Sequence, residues 1–181
     1  MLGRMYYQQG RLDLARTELE RFVNTAPASV PGNTMLGTIL DLQGKKQEAK
    51  KRYETALQVD PRAAVAANNL AWIDANSDGA NLDLALQLAQ TAKAQLPNQH
   101  EVDDTLGWIY YKKGMASRAV EALENSTLKA PSNPEYAYHL GLAYQKNGDS
   151  AKAKAEFERA LRLKPDFAGA ADAKKILESM K

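Results

Sequence analysis

The chain has no cysteine, which excludes disulfides, thiol catalysis and a thiolate metal site and leaves its redox compartment open. Histidine is nearly absent too: His100 and His139 stand alone, outside any HExxH or nucleophile arrangement. Glycine occurs singly, so no phosphate-cradling loop forms. No apolar run approaches spanning length, so direct insertion into a bilayer is not expected. An excess of one charge is also missing. With 24 basic and 22 acidic residues the net charge is +2, too balanced to point to nucleic acid or an anionic membrane surface. Carboxylates are plentiful, but pairs on solvated helices read as salt bridges and not as an acid and base couple. No catalytic site, metal or cofactor is expected.

What is present is a period. Pro27, Pro61, Pro97, Pro131 and Pro165 recur at intervals of 34, 36, 34 and 34 residues. Aligned on these prolines, Leu36-Gly37, Leu70-Ala71, Leu106-Gly107 and Leu140-Gly141 mark one helix, with Leu40, Tyr110 and Tyr144 three places after the small residue. A glycine follows at Gly44, Gly79, Gly114 and Gly148, then an alanine at Ala49, Ala85, Ala119 and Ala153, then a larger residue at Tyr53, Leu123 and Phe157. The pattern runs off the front as Leu2-Gly3, Tyr6, Gly10, Ala15 and Leu19. Each interval holds two helix-period patterns split by a glycine suited to ending a helix, so each unit is a helical hairpin. The small residues let the two backbones approach. Asn133-Pro134-Glu135 supplies a cap, a first-turn proline and an acid on the positive end of the helix dipole. One hairpin cannot bury its apolar face alone, so the units must stack.

These residues resemble the tetratricopeptide repeat (TPR) family over essentially the whole chain. The resemblance implies an all-α fold, a right-handed α-solenoid of helical hairpins closed by a C-terminal capping helix. We expect a single array with a partial repeat over 1–27, full repeats over 28–61, 62–97, 98–131 and 132–165, and the capping helix over 166–181. Phe167 to Met180 reads as that helix, with Ala170, Ala171, Ile176 and Leu177 inside and Lys174, Lys175, Glu178 and Lys181 outside. Met1 falls in the middle of a first helix. The array therefore reads as truncated there, with apolar Leu2, Met5, Tyr6, Leu12, Leu14 and Leu19 at an end that can self-associate weakly.

In proteins that resemble TPRs the first helices line a concave groove. Carried over position by position, that face holds Thr34, Thr38 and Asp41, then Asn68 and Trp72, then Glu101, Asp104, Trp108, Tyr111 and Lys112, then Glu135, Tyr138, Leu142, Gln145 and Lys146. Trp72 and Trp108 share one register position. Two readings stand for the rings: anchors for an extended peptide or protein partner with apolar groups and basic charge, or fillers of inter-helix gaps. A clamp for C-terminal carboxylates, used by one TPR subclass, is not expected, because its cationic positions hold Thr34, Glu101 and Thr105 and only Asn69 fits.

Two further motifs are incomplete. Asp74-Ala75-Asn76-Ser77-Asp78-Gly79 opens like a calcium loop, but the twelfth position is Ala85, so it reads as a turn. Asn125-Ser126-Thr127 fits the glycosylation pattern on a predicted helix, as chance would produce. The function expected is a non-catalytic scaffold with a peptide or protein in the groove. The alternative is a self-assembling component of a bacterial envelope, secretion or exopolysaccharide system. The stretches Asn68–Trp72 with Asn81-Leu82-Asp83, and Asp104–Tyr110, are similar to C-terminal repeats of TPR lipoproteins associated with exosortase and exopolysaccharide systems, which leans towards the bacterial envelope or periplasm. Asp103 departs from the apolar residue usual before Asp104.

Overall fold

The computed structural model describes residues 2–180, and all its regular structure is helical. The chain forms two compact units, Met1–Gln95 and Leu96–Lys181. The first holds α1 (Leu2–Gln8), α2 (Leu12–Thr25), α3 (Val30–Leu42), α4 (Lys46–Val59), α5 (Ala64–Ala75) and α6 (Leu82–Gln95). The second holds α7 (His100–Lys112), α8 (Ala116–Lys129), α9 (Pro134–Asn147), α10 (Ser150–Leu163) and α11 (Ala170–Ser179). From α1 to α10 each odd helix pairs with the next even one as a hairpin, within each unit each hairpin packs on the next, and α11 packs on α10. Among the described residues no helix is long and apolar enough to cross a membrane.

Local chemistry explains the hairpins. The Asn133 side chain accepts from the amides of Glu135 and Tyr136 at 2.9 and 3.4 Å, and Pro134 opens α9. That helix ends where Gly148 takes φ +89°, left-handed backbone that a side chain resists, and the Asp149 amide donates back to Tyr144 O at 2.9 Å. The same return bond closes α3, from Lys45 to Leu40 O at 2.8 Å, and α7, from Met115 to Tyr110 O at 2.9 Å. The two extra residues of the long interval enlarge the turn between α5 and α6, where the Asn81 side chain caps the new start by accepting from Leu84 N at 3.1 Å.

The hairpin cores rest on a trade of volume between facing helices. A Cβ placed on Gly37 would lie 2.6 Å from Tyr53 Cε1, and one on Gly107 would lie 2.5 Å from Leu123 Cγ, so each ring or branched chain sits directly on bare backbone. Gly3 with Leu19 and Gly141 with Phe157 repeat the pairing. In α5 and α6 the trade reverses: Ala71 stands at the glycine position, and Ala89, also fully buried, stands where the bulky residue would be. Ala119 and Ala153 are fully buried as well.

The last helix differs from expectation. It starts at Ala170, because Phe167 turns inward against Tyr138, ring centroids 5.5 Å apart, and the Ala170 amide closes a turn on Phe167 O at 3.0 Å. Ala173 is buried in place of the expected Ala171, which is exposed. Lys174, Lys175 and Glu178 do face solvent, while Lys181 and Met1 lie outside the described residues.

Candidate binding faces on the first helices

In the first unit, α1, α3 and α5 leave an open cavity of about 360 Å³ lined by Tyr7, Val30, Thr34, Met35, Thr38 and Val65, among others. It exists because the facing residues at the start of α5 are small: Ala63 just before the helix, with Ala64 and Ala66 in it, leaves the space that a larger side chain would fill. The Thr38 hydroxyl at its edge is already engaged. Thr38 Oγ1 donates to Thr34 O at 3.1 Å, Tyr53 OH donates to Thr38 Oγ1 at 3.3 Å, and Asn69 Nδ2 donates to Tyr53 OH at 3.1 Å. Burial raises the Tyr53 phenol above its ordinary range, against the lowering effect of those bonds to Thr38 and Asn69. Thr34 and Thr38 therefore share one site. Asn68 and Trp72 lie outside its lining: Asn68 is buried with its Nδ2 donating to Asn69 Oδ1 at 3.3 Å, and Trp72 is half-buried on α5.

In the second unit the expected residues gather into an aromatic stack. Trp108 lies between Tyr111 and His139, with ring centroids 5.1 and 4.5 Å away at interplanar angles of 21° and 30°. Asp104 is buried and places Oδ1 2.8 Å from His139 Nδ1. Lys112 sits over the Trp108 ring at 5.5 Å and Lys146 over Tyr111 at 4.6 Å. Tyr138 OH donates to Asp172 Oδ2 at 2.6 Å and its ring meets Phe157 and Phe167. Burial, and then the Asp172 carboxylate, push the Tyr138 phenol well up. Glu101, Glu135 and Gln145 are exposed, Glu101 Oε2 lying 3.4 Å from His100 Nδ1. Trp108 and Tyr138 thus carry packing contacts whatever else they bind.

Sequence reasoning missed three things. Tyr7, Met35 and Val65 form the cavity, yet each is an ordinary apolar residue whose role depends on what the neighbouring helix leaves empty. His139, set aside for lack of a motif, is the partner of Asp104. Asp103, the residue that breaks the family pattern, is buried and answered by Lys129 Nζ at 2.6 Å from its Oδ2.

The calcium-like stretch is occupied by other work. Asp74, its first oxygen ligand, is buried in α5 and bound by Lys50 Nζ at 2.5 Å, and Ala85 is fully buried in α6. Adding calcium to chelator-treated protein is expected to leave its melting temperature unchanged, whereas a clear shift lost in Asp78→Ala would reverse this assignment. The clamp positions are likewise committed, Thr105 donating to Glu101 O at 3.0 Å and Asn69 to Tyr53.

Comparison with known proteins places the fold. Tetratricopeptide repeat family models match residues 1–29, 30–62 and 134–167, together more than half of the chain. The chain belongs to the tetratricopeptide repeat family. It is 30% identical over 134 residues, 73% of its length, to the general transcriptional corepressor ssn6 of Schizosaccharomyces pombe, of which the match spans only 12%. A thermophilic TPR protein of Thermus thermophilus superposes with a TM-score of 0.70 at 21% identity, covering 99% of this chain and 95% of that one. YrrB, described as a TPR protein with an unusual peptide-binding site, gives 0.70 at 20% identity, covering 96% and 88%. The narrower resemblance to lipoproteins of exosortase and exopolysaccharide systems finds no support among these relatives.

Proposed function

We propose that this chain is a non-catalytic scaffold that holds an extended segment of a peptide or protein partner against its first helices. The observation that carries this reading is the cavity on α1, α3 and α5, an open and mainly apolar recess with no charged residue in its lining. Its size lies at the lower end of the roughly 300–1,000 Å³ typical of ligand pockets, suited to side chains and not to a whole helix. YrrB, built on the same fold, has a peptide-binding site, which supports peptide as the ligand class. In the second unit the stacked Trp108 and Tyr111, beside exposed Glu101 and Glu135, offer a further contact surface of the kind that anchors partners.

The test is a randomised peptide library displayed on phage and panned against the chain. Enriched peptides are expected to lose binding to Val65→Arg, a change at a cavity residue that is 50% exposed, while the variant keeps its melting temperature. Lys174→Glu, on the exposed face of α11, is expected to bind as before. No enrichment, or equal capture by Val65→Arg, would sink the reading for this cavity.

A further inference from the structure

We propose that the partner segment carries an apolar residue beside a lysine or arginine, the apolar side chain entering the cavity on α1, α3 and α5 and the cation pairing with Asp41. This rests on the peptide-binding reading above and adds the chemistry of the ligand. The cavity specifies the apolar half. No charged residue lines it, its walls are mainly aliphatic, and the Thr38 hydroxyl is already bonded to Thr34 O and Tyr53 OH, so a charged guest gains little there.

Asp41 specifies the other half. It stands three residues after Thr38 on α3, hence on the same helix face one turn further along. Thr38 lines the cavity and Asp41 does not, so the carboxylate belongs to the helix turn that follows the cavity's Thr38 edge. The side chain is half-buried, and burial raises its proton affinity above the ordinary carboxylate value, with only the Lys46 charge opposing this. Among the described residues no hydrogen bond or ion pair reaches its carboxylate. The buried acids are answered within the chain, Asp74 by Lys50, Asp103 by Lys129 and Asp104 by His139, as is the half-buried Glu156 by Arg159. A partly desolvated carboxylate left without a partner carries a cost, and a cation brought by a ligand removes it.

Phage-displayed random peptides panned on the intact chain, followed by a synthetic copy of the enriched consensus labelled with a fluorophore, give the readout. The consensus is expected to hold an apolar residue flanked by lysine or arginine. Asp41→Asn should weaken the peptide about tenfold, the loss of one partly exposed charged contact, while its melting temperature stays level or rises because an unfavourable buried charge is gone. Asp41→Lys should recover binding to a peptide whose basic residue is changed to glutamate. A consensus without basic residues, or Asp41→Asn with unchanged affinity, would overturn the assignment of Asp41 while loss of binding in Val65→Arg still upheld the peptide reading. Failure of panning would overturn both.

Discussion

Gly107→Ala is expected to destabilise the fold by about 1–3 kcal/mol, and combining it with Leu123→Ala is expected to cost clearly less than the two changes added together. The new methyl would sit 2.5 Å from Leu123 Cγ and 3.2 Å from the Leu123 backbone nitrogen, so the strain cannot be relieved by rotating a side-chain tip. Alanine is the better helix former by about 1 kcal/mol, which reduces the loss without reversing it. Leu123→Ala alone empties a fully buried site and should cost about 2–5 kcal/mol. In the double variant the methyl on α7 occupies part of the space vacated on α8. The chain already contains this solution, because Ala71 and Ala89 are both fully buried at the corresponding positions of α5 and α6. Urea denaturation of the four proteins measures the coupling, expected at about 0.5–3 kcal/mol for residues in direct contact. Strict additivity would mean that the two positions do not share one volume.

Lys50→Met is expected to cost about 1–3 kcal/mol, and the difference from the parent protein should vanish in strong alkali. Asp74 is 5% exposed, and Lys50 Nζ at 2.5 Å supplies its charge-matched hydrogen bond across α4 and α5. Removing the ammonium leaves a carboxylate out of water without that partner, which costs more than the pair itself contributes. The lysine end is a third exposed, so the figure stays below that of a fully buried pair. Linkage gives the pH dependence. The hydrogen bond to Asp74, the first cause, raises the Lys50 ammonium above its ordinary range, burial opposing it in part. The pair's contribution is therefore complete below the unfolded value and fades as pH rises through the folded one. Tyrosine ionisation in the same range affects parent and variant alike and drops out of the difference. Denaturation at neutral pH and again above the lysine range would check both statements, and a variant as stable as the parent at neutral pH would show that Asp74 is solvated by other means.

Both expectations depend on features visible to different degrees in the chain itself. Gly107 with Leu123, and Gly141 with Phe157, could be paired from the sequence, because a glycine and a bulky residue recur at one spacing within a single hairpin. The Lys50 and Asp74 pair could not, since the residues lie 24 apart on helices of adjacent hairpins and Asp74 stands where the other units carry Leu40, Tyr110 and Tyr144. The start of α11 failed for a related reason: Phe167 has helical neighbours in sequence but is turned inward by Tyr138, 29 residues earlier.

The sequence by itself determined the period, the hairpins, their caps and the close approach of facing helices, because each depends on residues a few turns apart and on backbone preferences that a residue carries anywhere. Only the tertiary structure decided what the first-helix faces offer. Trp108 became a stacked ring because His139, 31 residues away, lies flat against it, and the cavity formed where Tyr7, Thr34 and Val65 from three helices fail to meet. A gap is a property of several side chains at once, and no single stretch of chain encodes the space left between them.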